Sequence, residues 1–376
     1  MKRKAAVIGA TGSIGCQTAD VLYANSDRFE TVLLTAHEHS SELECMAGRL
    51  KAKRWGLTST TPLSALLDID IDIAVIAASG SSATRDIYEL AKRGITLAIA
   101  NKESIVMAGK FITAAAKQSG GVILPVDSEH SAIFQCLKGN DQKYVSRLVL
   151  TASGGAFRSF SPAELKDVTV KQAIEHPNWK MGKKISVDSA TMMNKGLELI
   201  EASCLFDIPP DKLDVVIHPE SLIHSFVAFT DSSVLAQAAL ADMRIPIAYA
   251  LGYPDRIDSC AKEVDFTIPF NLTFHPPEKG RYPCFELAKA ALIAGRQADI
   301  IALNAANDIA VSAFLTNRIG FTMIKPVVEK ILMREYNLYS EPNNIDEVLD
   351  IDRSVRSHAA EVLEKFLQKS FELESL

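Results

Sequence analysis

The sequence predicts an α/β protein in three successive parts: a parallel, doubly wound sheet, a second part of α+β type, and a terminal bundle of helices. In the first part, short apolar runs alternate with helical patterns, as in a sheet covered by helices on both faces. From about Arg147 the strand patterns end in polar, glycine-rich segments, and beyond Phe285 the chain reads as Ala-rich and Leu/Ile-rich helices. A chain of 376 residues is long enough for such parts to have separate cores.

The predicted strands of the first part are its apolar runs. They lie at residues 5–8, 31–36, 72–79, 96–101 and 121–126. Helical periodicity separates them, and the predicted helices cover residues 14–25, 83–92 and 104–118. In a sheet of this kind ligands bind beyond the carboxyl ends of the strands, so the residues that follow each run are the first candidates for function.

The later patterns predict boundaries after residues 126, 253 and 284. Residues 127–253 contain strand patterns at 148–153 and 215–218 and a hairpin at 226–236, which together indicate an α+β part. Five prolines punctuate residues 254–284 and indicate a linker. Residues 285–376 form the predicted helical domain.

Composition and charge limit the classes of partner. A net charge of −6 and a pI near 5.8 argue against nucleic acid or an anionic membrane, because binding to either depends on a positive field. The six cysteines form no C-x-x-C pair or Cys/His cluster, which argues against a zinc site and a disulfide framework. We see no signal-peptide pattern and no apolar stretch of membrane-spanning length, so we expect a cytoplasmic protein with a small-molecule substrate.

A glycine turn follows the first predicted strand. Gly9, Gly12 and Gly15 stand between that strand and the first helix, where glycines permit a tight turn and let a pyrophosphate approach the helix N-terminus. The spacing is G-x-x-G-x-x-G rather than G-x-G-x-x-G, so a packing turn without a ligand is the alternative. After the second strand, His37 and His39 would suit the 2′-phosphate of NADP, whereas Glu38 would repel it unless it points away.

Three acids suggest a hard divalent cation. Asp127 and Glu129 follow the last strand of the first part, and alternate residues of a strand point the same way, so we expect their carboxylates to converge. Glu198 stands in a second polar segment. Oxygen ligands suit Mg²⁺ or Mn²⁺. The alternative is a loop of solvated acids.

Two further segments suggest a phosphorylated substrate and a lid. Hydroxyl and amide donors and one ammonium in the second part suit a phosphate monoester. These side chains are Ser153, Ser189, Asn194 and Lys195. For the serines and the asparagine, the alternative is a role in turns and helix caps. His176, Trp179 and Gly182 lie in a segment typical of a closing flap, although a loop anchored in the core by its Trp would look the same.

Other polar residues also have structural explanations. Lys102 and Glu103 follow a strand at the edge where chemistry would lie, and Asn101 before them is also a predicted helix cap. For the histidines we expect hydrogen-bonded structural roles rather than metal ligation; they are His130, His218 and His224.

Together these segments resemble the 1-deoxy-D-xylulose 5-phosphate reductoisomerase family. The matching segments occur in the same order and cover most of the chain to about Pro254; they are residues 9–15, 100–104, 124–130, 153–155, 176–182, 184–198, 217–224 and 242–246. The resemblance implies a V-shaped protomer, usually in a homodimer, with a Rossmann-like NADPH domain, a central catalytic domain and a C-terminal helical bundle. It also implies NADPH-dependent rearrangement and reduction of 1-deoxy-D-xylulose 5-phosphate to 2-C-methyl-D-erythritol 4-phosphate for isoprenoid precursor synthesis.

The resemblance also implies roles for individual residues. The Mg²⁺ or Mn²⁺ ligands would be Asp127, Glu129 and Glu198. The phosphate would be bound by Ser153, Ser189, Asn194 and Lys195, with His176 closing on it from a flap at residues 176–183. The rest of the substrate would be contacted by Lys102, Ser128, Glu129 and Glu198 and covered by Trp179 and Met181. The catalytic residues would be Lys102, Glu129 and His176.

The cofactor residues are also implied by the resemblance. They would be Thr11, Gly12, Ser13, Ile14, Asn101, Glu103 and Gly182, and His37 is added from the loop after the second strand. That loop departs from the basic sequence common in the family, so the preference for NADPH over NADH stays open. Two other functions also stay open: a semialdehyde-dehydrogenase-like enzyme, which would need an activated cysteine such as Cys136, and a nucleotide sensor without catalysis.

Overall fold

A computed structural model describes residues 1–175, 178–179, 181–335 and 338–374. The chain forms two compact units, each built from two stretches of sequence. Unit 1 comprises Met1–Leu148 and Leu222–Asn271, and unit 2 comprises Val149–Ser221 and Leu272–Leu376. The predicted boundaries after residues 126, 253 and 284 do not coincide with these compact units, so that division stays a prediction about functional segments.

Unit 1 is built on a six-stranded parallel sheet. Its strands are β1 (Arg3–Ile8), β2 (Phe29–Ala36), β3 (Arg54–Leu57), β4 (Ile73–Ile76), β5 (Thr96–Ile99) and β6 (Val122–Pro125). They lie in the order β3-β2-β1-β4-β5-β6, and every neighbouring pair is parallel. This is the order of the doubly wound dinucleotide-binding fold, whose direction reverses between β1 and β4. The predicted parallel, doubly wound sheet is confirmed.

Helices connect these strands and cover the sheet. They are α1 (Ser13–Ala24), α2 (Ser40–Leu50), α3 (Leu63–Leu66), α4 (Thr84–Ala91), α5 (Lys102–Ser119) and α6 (Ser128–Leu137). All four residues of β4 are buried, as are Ala5–Ile8 of β1, because a parallel strand in the middle of such a sheet has no face toward solvent. Each buried Ile or Val contributes about 1.5–3 kcal/mol relative to an exposed one.

The chain enters unit 2 along β7 (Val145–Ala152), whose residues fall in both units. Three helices and one strand follow: α7 (Val170–Ile174), α8 (Lys183–Ala190), α9 (Met193–Phe206) and β8 (Leu213–Ile217). In unit 2, β8 lies beside β7, and the His218 amide donates to the Ala152 carbonyl oxygen at 2.7 Å.

The chain then returns to unit 1 as a hairpin and one helix. The hairpin strands, β9 (Ile223–Phe229) and β10 (Val234–Ala238), pair antiparallel, as the sequence predicts. The helix α10 (Arg244–Gly252) contributes Ile247 and Leu251 to the same apolar core as Val7 and Leu34 of the parallel sheet. This helix therefore adds a late segment of sequence to the core of unit 1.

Four helices complete unit 2. They are α11 (Pro283–Ala294), α12 (Gln297–Leu315), α13 (Ile324–Glu335) and α14 (Ile345–Glu374). The predicted terminal helices are confirmed. A Cβ at Gly196 of α9 would lie 2.3 Å from the Ala288 Cβ of α11, so glycine is what lets these two helices approach so closely.

One described helix is long and apolar enough to cross a membrane, which the sequence patterns did not lead us to expect. This helix is α12, but 72% of its most apolar window is buried within the protein. A central core helix meets the same criteria of length and hydropathy, and α12 packs against α13 and α14.

Candidate active site

The three glycines of the turn after β1 differ in their surroundings: two are closely packed and one faces open space. A Cβ at Gly9, where φ is +88°, would lie 2.5 Å from the Ala78 nitrogen, and a Cβ at Gly15 would lie 2.3 Å from the Ala10 carbonyl oxygen. At Gly12 the nearest atom would be 3.5 Å away, and this residue is exposed. Gly9 and Gly15 are therefore required by the fold, whereas Gly12 leaves room for a ligand.

Gly12 is the N-cap of α1 and has no side chain with which to cap it. The first N–H groups of a helix have no partner within the helix, and they favour an anion. Ser13 is exposed, and Thr11 and Ile14 are half-buried around the same turn. The turn thus fits the pyrophosphate of a dinucleotide.

Asn101 joins the loops at the carboxyl ends of β4 and β5. Its side-chain oxygen accepts from the Ser104 amide at 2.8 Å, and its amide donates to the carbonyl oxygens of Ala78 and Gly80 at 2.7 and 3.0 Å. Asn101 is therefore a helix cap, as the sequence allows. Glu103, in the first turn of α5, is half-buried.

The loop after β2 exposes three charged or titratable side chains. His37 Nδ1 lies 3.3 Å from the Thr58 hydroxyl oxygen, and His39, with a positive φ of 67°, lies 3.4 Å from a carboxylate oxygen of Glu42. Glu38 is exposed beside them. The contact with Glu42 turns His39 toward α2, which leaves His37 as the better candidate for contact with a cofactor.

The segment with the first two acids is a helix start, not a strand end. β6 ends at Pro125, and Asp127 caps α6, its side chain accepting from the Glu129 amide at 3.3 Å. The predicted strand geometry at these residues was therefore wrong, but the expected convergence is confirmed, because carboxylate oxygens of Asp127 and Glu129 lie within 4.8 Å of each other. An Asp followed two residues later by Glu, ahead of an apolar helix, is typical of an N-terminus, where acids complement the helix dipole.

Asp127 has two cationic or titratable neighbours within unit 1. Lys102 Nζ donates to Asp127 Oδ2 at 2.5 Å, and His130 Nδ1 lies 3.4 Å from Asp127 Oδ1. Burial works to raise the pKa of Asp127, but the charges and hydrogen bonds of Lys102 and His130 outweigh it and hold that pKa well below its ordinary value. Asp127 is therefore ionised at neutral pH.

The other groups of this cluster are oxygen-rich. The Ser128 hydroxyl donates to Glu129 Oε2 at 2.6 Å, and both side chains are half-buried. Carboxylate and hydroxyl oxygens are the donors that Mg²⁺ and Mn²⁺ take. The donor chemistry of unit 1 thus fits such a cation. His130 beside Asp127 is buried, and its structural role stays a prediction.

In unit 2 the predicted phosphate residues lie on adjoining segments. Ser153 follows β7, and its hydroxyl oxygen accepts from the Gly155 amide at 3.1 Å. Gly155 has a φ of +74°, and a Cβ there would lie 2.5 Å from the Ser189 carbonyl oxygen at the end of α8. The loop that carries Ser153 therefore packs directly against the segment that carries Ser189.

Asn194, Lys195 and Glu198 share one side of α9. Asn194 Nδ2 donates to Glu198 Oε1 at 2.5 Å, and Lys195 Nζ forms an ion pair with Glu198 Oε2. The N-cap, Met192, has a positive φ of 55° and no oxygen with which to cap the helix, so the first N–H groups of α9 are not capped by it. Donors suited to a phosphate thus meet at this helix start.

Ser189 and Asn194 lie on either side of a break between two helices. The structure forms two helices, α8 and α9, with a break of two residues between Ala190 and Met193. The break brings Ser189 to the end of one helix and Asn194 to the start of the next.

The predicted flap is described only in part. His176 lies outside the described residues. Trp179 and Met181 are half-buried, and Gly182 is the exposed N-cap of α8. The Asn178 amide donates to the Pro219 carbonyl oxygen at 2.7 Å and to the Ser221 hydroxyl at 2.8 Å, so the loop after β8 holds Asn178.

Two remaining histidines are buried, as expected for structural residues. His218 Nδ1 lies 2.9 Å from the Thr273 carbonyl oxygen, and its ring stacks on Phe274 with the ring centres 4.5 Å apart. His224 is buried in β9. The sequence analysis missed a different group, Asp188, which is buried one residue before Ser189; the available signal was its spacing of four from Lys184 on a helix.

Comparison with known families decides the relationship. Residues 5–68 match the family described as 1-deoxy-D-xylulose 5-phosphate reductoisomerase, and residues 123–206 and 239–358 match its C-terminal domains. A protein of that name from Thermoanaerobacter pseudethanolicus is 43% identical in an alignment 379 positions long, which covers 95% of this chain and 98% of the relative. One from Paraburkholderia phymatum is 44% identical in an alignment 385 positions long, which covers 96% of this chain and 95% of that relative.

The chain belongs to the 1-deoxy-D-xylulose 5-phosphate reductoisomerase family. Solved structures of the family agree with it in fold. The enzyme from Zymomonas mobilis, in complex with NADPH, superposes with a TM-score of 0.88 at 39% identity, over 97% of this chain and 100% of that one. A second family structure, in complex with NADPH, fosmidomycin and magnesium, gives 0.89 at 35% identity over 97% and 99%. The family resemblance read from the sequence is confirmed.

Proposed function

We propose that this protein catalyses the NADPH-dependent and divalent-metal-dependent conversion of 1-deoxy-D-xylulose 5-phosphate to 2-C-methyl-D-erythritol 4-phosphate, in the non-mevalonate route to isoprenoid precursors. The observation that carries the proposal is family membership over 95% of the chain at 43% identity. The local chemistry supports it, since an open glycine turn, neighbouring acids and a helix start with polar donors all occur among the described residues.

The cofactor proposal places NADPH on the turn after β1. Gly12 leaves open space there, and the family structure from Zymomonas mobilis contains NADPH. The residues proposed to contact it are Thr11, Gly12, Ser13, Ile14, His37, Asn101, Glu103 and Gly182. The chemistry that the bound nicotinamide supplies is hydride donation to a carbonyl carbon.

The metal proposal assigns three carboxylates to Mg²⁺ or Mn²⁺. They are Asp127, Glu129 and Glu198, and a family structure contains magnesium. The position of Asp127 supports its part, because its carboxylate lies within 4.8 Å of that of Glu129 and a metal ligand must be deprotonated. A bound divalent cation supplies Lewis-acid polarisation of a carbonyl oxygen.

The substrate proposal divides the molecule between its phosphate and its carbon skeleton. The phosphate would be held by Ser153, His176, Ser189, Asn194 and Lys195. The skeleton would be contacted by Lys102, Ser128, Glu129 and Glu198 and covered by Trp179 and Met181. Lys102 and Glu129 are the groups proposed to move protons, because the ammonium can donate and the carboxylate can accept within one cluster. His176 completes the proposed catalytic set from the flap.

The cysteine-dependent alternative loses support from the structure. Cys136 is buried in α6, and burial raises the pKa of its thiol to about 11, so almost none of it is thiolate at neutral pH. Burial likewise raises the pKa of Cys204 and Cys284 to about 12. These thiols are unsuited to nucleophilic catalysis.

The test is NADPH oxidation by the purified protein, followed by absorbance, with 1-deoxy-D-xylulose 5-phosphate as substrate. We expect oxidation that requires Mg²⁺ or Mn²⁺, stops on chelation and resumes when metal is added back. Oxidation that persists in excess chelator would contradict the metal assignment. NADPH binding without any turnover would favour the nucleotide sensor.

A cytoplasmic homodimer is part of the same proposal. β10 lies at the edge of its sheet, with Val234 and Leu235 exposed by 55% and 43%. An exposed apolar edge strand offers unpaired backbone groups and apolar side chains with which another chain can pair. Light scattering should give twice the chain mass, and Leu235→Lys should shift it toward the monomer. A monomeric wild-type protein would contradict the homodimer.

A further inference from the structure

A buried carboxylate lies beside the predicted phosphate site without belonging to it. Asp188, on α8, is only 1% exposed. Its Oδ1 accepts from the Asn307 amide of α12 at 2.7 Å, and its Oδ2 pairs with Lys184 Nζ at 2.9 Å. The carboxylate therefore joins α8 to α12 inside unit 2.

Further ion pairs connect Lys184 of α8 to α12 and α12 to a third helix, α14. Lys184 Nζ also lies 3.1 Å from Asp308 Oδ1, and Arg356 of α14 donates to Asp308 Oδ2 at 2.7 Å. Arg356 pairs with Asp352 as well, one turn earlier on α14. A continuous chain of ion pairs thus fixes α8 against the terminal helices.

This arrangement is a costly way to hold two helices together. Burial is the main cause that raises the pKa of Asp188 above its ordinary value, and Lys184 and Asn307 only partly oppose it. The Asn307 Oδ1 atom is buried and has no hydrogen-bond partner among the residues that the structure describes. Apolar residues of similar size often join helices at least as stably, so stability alone does not explain the cluster.

The position of Asp188 suggests what the cluster does. Ser189 is the next residue, and its carbonyl oxygen is the atom against which Gly155 packs so closely that no Cβ fits. A movement of α8 along α12 would therefore shift Ser189 against the loop that carries Ser153. The hydroxyl groups proposed to bind phosphate depend on where α8 is held.

We infer that Asp188, with Asn307 and Lys184, is a positioning group for recognition of the substrate phosphate, fixing α8 on α12 so that Ser189 faces the same point as Ser153. This inference rests on the proposed function and adds residues to it. Asp188 acts through α8 and does not touch the substrate.

An exchange of the two partners in the full-length protein tests the inference. In Asn307→Asp, two carboxylates face each other, and we expect KM for 1-deoxy-D-xylulose 5-phosphate to rise about tenfold, or about 1.4 kcal/mol, with NADPH affinity unchanged. In Asp188→Asn combined with Asn307→Asp, the new amide on α8 can donate to the new carboxylate on α12, which restores one hydrogen bond between the helices. The double variant should therefore recover KM to within about twofold of wild type.

Two controls separate positioning from folding. Asp352→Asn perturbs the same ion network from α14 and should lower the melting temperature without changing that KM. Asp188→Asn alone is the milder variant and should raise KM less than Asn307→Asp does. Single variants that keep the wild-type KM, or a double variant no better than Asn307→Asp, would overturn the inference.

Inorganic phosphate distinguishes this inference from the proposed function. Its binding to the wild-type and variant proteins is measured by calorimetry without substrate. A wild-type protein that binds phosphate but does not oxidise NADPH would contradict the proposed function alone. Equal phosphate affinity in wild type and Asn307→Asp would contradict the positioning role alone.

Discussion

Each unit contains a buried lysine that lies in the first turn of a helix and pairs with a carboxylate, but the two pairs are built differently. Lys102 and Asp127 are 25 residues apart and meet because β5 and β6 are neighbours in the parallel sheet. Lys195 and Glu198 are three residues apart on α9. The first pair depends on the topology of a whole sheet, whereas the second depends on one helix turn.

The difference matches the chemistry proposed for each unit. In unit 1 the lysine and His130 keep Asp127 ionised beside Ser128 and Glu129, which suits metal binding and proton movement. In unit 2 the Glu198 carboxylate forms an ion pair with Lys195 and accepts a hydrogen bond from Asn194. The side chains of Lys195 and Asn194 are also suited to binding a phosphate. We therefore expect substitutions in unit 1 to reduce kcat and those at the phosphate donors of unit 2 to raise KM.

The largest effect is expected where the two roles coincide, at Glu198. Glu198→Gln removes a proposed metal ligand and the partner of Lys195. Turnover should fall roughly 10³-fold, since the chemical step loses several kcal/mol of Lewis-acid stabilisation. NADPH binding, measured by fluorescence, should be unchanged. Wild-type turnover in this variant would remove Glu198 from the metal site.

Lys102→Met should act on kcat. It removes the proposed proton donor and the cation that stabilises ionised Asp127, so kcat should fall about 10²-fold or more, with a smaller change in KM. Steady-state kinetics at saturating Mg²⁺ and NADPH provide the measurement. Normal kcat with a raised KM in this variant would show that Lys102 contributes to substrate binding and not to the chemical step.

Lys195→Met should show the opposite pattern. It removes a charged donor proposed to contact the phosphate, which corresponds to about 2 kcal/mol and about thirtyfold in KM for the substrate. Affinity for inorganic phosphate should fall in parallel. A Lys195→Met variant with lower kcat and unchanged phosphate affinity would contradict the assignment of phosphate binding to unit 2.

The glycine turn offers a matched pair of variants. Gly15→Ala places a Cβ 2.3 Å from the Ala10 carbonyl oxygen, so the protein should lose about 1–3 kcal/mol of stability. Gly12→Ala meets nothing closer than 3.5 Å and should fold normally but bind NADPH more weakly. Thermal unfolding and NADPH titration measure the two effects. Equal melting temperatures would show that Gly15 is not required for packing.

The smallest effect is expected at Glu38, which is exposed after β2. Glu38→Lys should favour NADPH over NADH by a few fold, because a cation there attracts the 2′-phosphate and the carboxylate no longer repels it. The ratio of kcat/KM for the two cofactors is the readout. An unchanged ratio would mean that Glu38 faces away from the ribose.

Local pattern was enough to predict much of the fold. β1 and β4 are apolar over their buried residues because both faces are covered, and α12 is Ala-rich and Ile-rich, as predicted for the terminal helices. β3 and α2 were missed, since a half-exposed edge strand and a helix that buries only Leu43 and Ala47 give weak signals. The start of α6 at Asp127 was misread because an apolar strand directly precedes it.

The sequence allowed us to predict which residues belong to the candidate site, but not which of them contact each other. Family resemblance supplies the residues, but the pairing of Lys102 with Asp127 follows from strand order, which no local pattern encodes. Asp188 is the extreme case, because its partner Asn307 is 119 residues away and α12 reads as an ordinary apolar helix. Contacts between residues that are far apart in sequence can be identified only once the fold is known.

One measurement tests the central claim most directly. The protein is incubated with 1-deoxy-D-xylulose 5-phosphate, Mg²⁺ and NADPH deuterated at the transferred position, and the product is analysed by mass spectrometry. The proposed function predicts 2-C-methyl-D-erythritol 4-phosphate carrying a single deuterium. Unaltered substrate, or a reduced product with its original carbon skeleton, would contradict it.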